Sequence, residues 1–268
     1  MGRLPALYLG LWPVFEDYRV GMAEALGLSH MIDVQAWAAE EDTRPESLLF
    51  VMAVGQARLQ DPLALHEQER VEDPRSGGLV FQFSRIQAAE DVRSFARRYG
   101  LLGLDDAFET PNDDPFRALE AEFRRDRYWT PDGQLSLHRV EVVNRWLDRA
   151  RSLRDLLREA AQGRPAYELR EHLEVQVNPE LLELPSAPEN TRQYRFVLRT
   201  YNLFYAIQFL ALVEIATGNL RLCARCGQVF SATRERSEYC SERCRKAAEV
   251  QRYRKRRKEA EMAGQLEA

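Results

Sequence analysis

Outside one window of 22 residues the chain has no cysteine, so a framework of dispersed disulfides is excluded and the cluster itself becomes the question. Lysine is almost missing: Lys246, Lys255 and Lys258 are the only three, and arginine supplies the other 35 positive charges. No apolar run spans a bilayer, since the longest, residues 203–216, is short and interrupted by Gln208 and Glu214. The apolar start of the chain is punctuated by Pro5 and Pro13 and lacks a small-residue cleavage site, which argues against a signal peptide and for a cytoplasmic protein. There is no H-E-x-x-H, G-x-S-x-G, P-loop or G-x-G-x-x-G, and His30, His66, His138 and His172 have no metal-ligand spacing. The acidic pairs Asp105-Asp106 and Asp113-Asp114 stand beside turns or helix starts, where Asp caps backbone N–H groups. An enzyme is therefore not expected. Trp12, Trp37, Trp129 and Trp146 read as core residues, and no repeat of 20–50 residues marks a solenoid.

The chain has 268 residues, 45% of them hydrophobic, enough to bury one large core or two unequal ones. Its net charge of −4 hides an asymmetry. Residues 221–258 carry 13 Lys and Arg against four Glu, about +9, which leaves about −13 on the remainder. A basic end on an acidic body is the footprint of a polyanion contact at one terminus.

Residues 6–11, 48–54 and 79–83 are short β-prone runs and predict strands, while 16–28 predicts a helix. Ser84 and Gln87 fit a capping box for a helix through Val92, Phe95, Ala96 and Tyr99, stopped by Gly100. Residues 110–114 read as a loop and 116–128 as a helix. The strongest helical period joins Val143, Trp146, Leu147, Ala150, Leu153 and Leu157, ahead of Gly163 and Pro165. Residues 175–188 read as extended or irregular, and 191–217 as one more helix closed by Gly218 at C′. The fold class expected is α+β: a predominantly helical body with a few short strands over residues 1–218, a metal module over 219–262, and a disordered tail over 263–268.

The cluster reads C-x2-C-x13-C-x3-C through Cys223, Cys226, Cys240 and Cys244. Two close pairs of thiolates supply a tetrahedral zinc site, and Gly227 lets the chain turn past the metal with positive φ. Phe230 and Tyr239 are available to pack beside it. Four thiolates leave no open coordination position, so one structural zinc ion is expected, contributing most of the module's folding free energy. Ser241 can N-cap a helix that begins around Cys244 and runs without Gly or Pro to Gly264. A hairpin-borne pair followed by a pair entering a helix is the treble-clef arrangement. That helix carries Arg245, Lys246, Arg252, Arg254, Lys255, Arg256, Arg257 and Lys258, which can neutralise phosphates and release counterions, with Tyr253 among them.

The string from Leu222 to Phe230, with residues 238–244 and the basic helix after them, resembles the C-terminal zinc finger of bacterial CGNR-type proteins, in which a variable α/β domain precedes the finger. The resemblance covers about the last fifth of the chain. It implies that the four cysteines are the ligands and the following helix the DNA-contacting element of a transcription regulator. The Cys-Gly-Asn-Arg motif itself stands here as Cys244-Arg245-Lys246-Ala247. The expectation is thus a zinc-finger DNA-binding regulator whose body senses a ligand or forms a homodimer. The alternative is an adaptor that docks the same helix on RNA or an acidic protein surface.

Overall fold

The computed structural model describes residues 6–8, 12–26, 44, 48–75, 77–104, 140–164, 178–183, 194–200, 202–234 and 236–266. The expected loop at 110–114 and helix at 116–128 lie outside them, as do His30, His138, His172, Trp37, Trp129 and both acidic pairs. The described residues mix helix and sheet. In chain order they form β1 (Ala6–Tyr8), β2 (Trp12–Gly21), β3 (Phe50–Gln60), α1 (Pro62–Glu72), α2 (Leu79–Ser84), α3 (Ala89–Tyr99), β4 (Val140–Val142), α4 (Val143–Ala161), β5 (Asn178–Glu183), β6 (Tyr194–Arg199), α5 (Leu203–Ala216), β7 (Leu220–Leu222), β8 (Val229–Ser231) and α6 (Glu242–Leu266).

Residues 16–21, expected in a helix, belong instead to β2, which pairs antiparallel with β3, itself paired to β4. The misreading has a physical cause. Phe15 opposes Ala57 but Asp17 opposes Val54, so Gly55 and Gln56 of β3 face the single residue Glu16. Gly55, at φ 84°, supplies the left-handed residue such a bulge needs. Trp12, Phe15 and Tyr18, three apart in sequence, all join the main core, a spacing that mimics a helix. Both faces of β3 are covered: Val51 and Ala53 face the main core, while Phe50 and Met52 pack with Leu48, Val140 and Val142.

Residues 79–83, expected in a strand, form helix α2, entered through Gly78 at φ 87°. Leu79, Val80, Phe81 and Phe83 are all buried, and a short run that is apolar on every side fits a buried helix as well as a buried strand. The cap of α3 is not Ser84, which ends α2; the Asp91 carboxylate accepts from the N–H groups of Gln87 and Ala88, each at 3.0 Å. Gly100 terminates α3 as expected, at φ 93°. The long helix predicted at 191–217 divides into β6 and α5. Asn202 makes the break, its side chain accepting from the Tyr205 N–H at 2.8 Å as N-cap of α5. Strand β6 pairs with β5 on one side and runs parallel to β1 on the other.

Helix α4 forms as its periodicity requires and crosses the middle of the core, where Trp146 is fully buried against Phe83 and Phe95. Its indole N–H donates to the buried Glu141 carboxylate, which also accepts from the N–H groups of Leu102, Gly103 and Leu104. Trp12 is likewise buried, donating to the Leu101 carbonyl at 2.7 Å. No helix among the described residues is long and apolar enough to cross a membrane.

Candidate metal centre

Strands β7 and β8 form a short hairpin that starts just after α5 ends at Gly218, φ 67°. The turn between them is a knuckle. The Gly227 N–H donates to the Cys223 carbonyl and the Cys223 N–H to the Gln228 carbonyl, both at 2.9 Å, with Gly227 at φ 70°. Cys223 and Cys226 therefore project from one tight loop. The second pair is brought across by the Ala224 N–H, which donates to the Glu238 carbonyl at 2.9 Å. Ser241 caps α6, its hydroxyl accepting from the Cys244 N–H at 3.3 Å, so the fourth cysteine stands in the first turn of that helix.

All four sulfurs lie within 4.8 Å of one another. Cys226 Sγ is 3.7 Å and Cys244 Sγ 3.6 Å from Cys240 Sγ. Thiolates bound tetrahedrally at about 2.3 Å have edges of about 3.8 Å, whereas a disulfide needs about 2 Å. The four cysteines are thus placed to hold a metal ion. Phe230, fully buried, packs against Cys223 and Cys240, and Tyr239 against the same cluster. The thiols are unequal. Burial pushes Cys226 up and, together with Cys244, pushes Cys240 up strongly. Burial acts the same way on Cys223, but N–H groups of Cys240, Cys226 and Arg225 outweigh it and bring that thiol down to about 6. Ionising all four requires a cation among them.

The module is fastened to the body by contacts that spacing did not reveal. Leu220 and Val229 are buried in the main core. The Ser231 N–H donates to the Arg75 carbonyl at 2.8 Å, and the Arg75 guanidinium donates to the Tyr239 carbonyl at 3.1 Å. Glu214 of α5 pairs with Arg70 of α1 at 3.0 Å and accepts from Ser231; burial raises its pKa against the pull of both partners. The available signal was Glu214 itself, an acid inside an apolar run.

Beyond Cys244, α6 carries Arg245, Lys246, Arg252, Arg254, Lys255, Arg256, Arg257 and Lys258, all exposed. Every position from 251 to 260 is exposed, so this stretch is not covered by the other described residues. The helix runs through Gly264 to Leu266, past the end expected near residue 262. Arg245 is held by its own neighbours, Glu242 and Glu249, the latter at 2.7 Å. His66 is a structural group: its Nδ1 accepts from the Leu79 N–H at 3.0 Å. In the body, a cleft of about 320 Å³ opens beside α2 and α3, lined by Arg85, Ile86, Phe95 and Arg98 among others. Comparison of the chain with protein-family models, with curated proteins and with solved structures returned no match.

Proposed function

We propose that the chain is a DNA-binding protein of the transcription-regulator type, in which zinc bound by Cys223, Cys226, Cys240 and Cys244 is structural and α6 contacts the nucleic acid. The observation that supports it most is the conjunction of a cysteine cluster of tetrahedral dimensions with a basic helix that starts on its fourth ligand and stands clear of the body. The metal fixes the first turn of α6, and the remaining length, exposed at every position from 251 to 260, is offered to a partner. A helix of this kind neutralises phosphates and gains affinity from counterion release. Four sulfur ligands fill the coordination shell, so the zinc holds structure and does no chemistry. The body supplies control, through a small molecule or through self-association.

The test combines metal analysis with fluorescence anisotropy on duplex DNA across a salt series. One zinc per chain is expected, and none in Cys240→Ser. The intact chain should bind at micromolar or tighter concentration, and removing residues 250–268 should lower the salt slope by up to about 5, the share of six basic residues. Absence of salt-dependent binding by the zinc-loaded chain would overturn the reading and favour an acidic protein surface as the partner of α6.

A further inference from the structure

The basic residues of α6 are not equivalent, because the helix has two chemically different sides. At about 100° per residue, Arg243, Lys246, Val250, Tyr253, Arg254 and Arg257 fall within an arc of roughly 100°. From residue 243 to residue 258 no acidic residue shares that arc; Glu261, about one turn past Arg257, is the first to enter it. It also holds the two large apolar side chains that α6 exposes among the described residues, Val250 at 50% and Tyr253 at 63%. The acids of this stretch, Glu242, Glu249 and Glu259, lie outside it, along the side that carries Arg245, Arg252, Lys255 and Arg256. There the charges are engaged with each other: Arg245 with Glu242 and Glu249, and Lys255 with Glu259 at 3.8 Å.

The metal centre decides which side faces outward. Cys244 and the half-buried Ala248 stand roughly 130–170° from the middle of the acid-free arc. Since α6 is held to the cysteine cluster through Cys244, the arc points away from the module. Its composition matches one class of polyanion. A helix about 10–12 Å across fits the major groove of B-form DNA, about 12 Å wide, with cations meeting phosphates at the rims and apolar groups meeting thymine methyls on the floor. The major groove of A-form RNA is too deep and narrow to admit it.

The structure assigns the face formed by Arg243, Lys246, Val250, Tyr253 and Arg254 as the surface that enters the major groove of duplex DNA, with Arg245, Arg252, Lys255 and Arg256 on the back, where Arg245 and Lys255 are ion-paired. This assignment rests on the DNA-binding reading and is separable from it by experiment. Two full-length, zinc-loaded variants of equal charge are compared: Arg243→Gln/Lys246→Gln/Arg254→Gln on the face and Arg245→Gln/Arg252→Gln/Arg256→Gln on the back. Each is titrated by anisotropy against one DNA duplex and the RNA duplex of the same sequence, with helicity and zinc content checked. The face variant should weaken DNA binding more than about tenfold and lose about 3 from the salt slope, and the back variant less than about threefold. Tyr253→Ala should narrow the difference in affinity between DNA sequences while leaving the salt slope unchanged.

Equal losses from the two triple variants would overturn the face assignment and leave α6 a general polyanion contact. Equal affinity of the parent chain for the RNA duplex would overturn the groove. Unchanged binding by both variants, or no binding by the parent, would overturn the nucleic-acid role of α6 as well.

Discussion

His66 accepts a backbone N–H in a partly closed site, and the cost of charging it there falls on the folded state alone. Burial first, and the nearby Arg70 second, bring its pKa from 6.5 down to about 4. The unfolded chain therefore takes up a proton near pH 6.5 that the folded chain refuses until about pH 4. This contribution to stability is intact above the unfolded value and is lost as pH falls across that window, by up to about 3 kcal/mol. His66→Asn keeps an acceptor for the Leu79 N–H and removes the titration. Urea midpoints measured from pH 7 to 4.5 should fall less steeply in the variant than in the parent; parallel slopes would assign the acid sensitivity to other groups. Nearby, Glu69 is buried and engages Arg98, the Tyr99 hydroxyl and the Gly78 N–H, so the entry to α2 is held on both sides by side chains of α1 and α3.

Among the elements, the cysteine-bearing hairpin rests on Arg75, just past the end of α1. Arg75→Ala deletes the guanidinium contacts to Tyr239 and Thr233 but keeps the carbonyl that receives the Ser231 N–H. Loss of these partly exposed hydrogen bonds should lower the stability of the zinc-loaded protein by about 1–2 kcal/mol and speed zinc release to a competing chelator several-fold. Unchanged release kinetics would show that Leu220 and Val229 alone secure the hairpin. The elements also differ in how far the sequence revealed them. Helix α4 was legible because its apolar positions repeat over five turns, and the cysteine pairs because ligand spacing is local. Strand β2 was not, since its core residues Trp12, Phe15 and Tyr18 recur at every third position, where a strand alternates at every second. Helix α2 was ambiguous because four apolar residues in a run of five have no period. The break at Asn202 was hidden between two apolar segments, each consistent with a helix. The docking of β7 and β8 depends on contacts with residues some 150 positions away, which no local signal encodes.

At the scale of the whole molecule, the acidic body and the basic helix are joined through a hairpin that belongs to both. The sequence divides well near Gly218, yet Leu220 and Val229 beyond that point complete the main core. Cutting there would expose the body, so α6 is best removed from residue 250 onward. The same arrangement leaves residues 251–260 of α6 exposed at every position, and a helix of that length without a packed face frays. Six Arg and Lys between residues 252 and 258 then make this the most cleavable stretch of the described chain. Brief digestion with trypsin should clip it first and leave the zinc-bearing remainder intact, with duplex DNA slowing the cut. On the proposed function, protease sensitivity at that site reports occupancy of the helix, and the exposure that would make α6 available to DNA also opens it to destruction whenever DNA is absent.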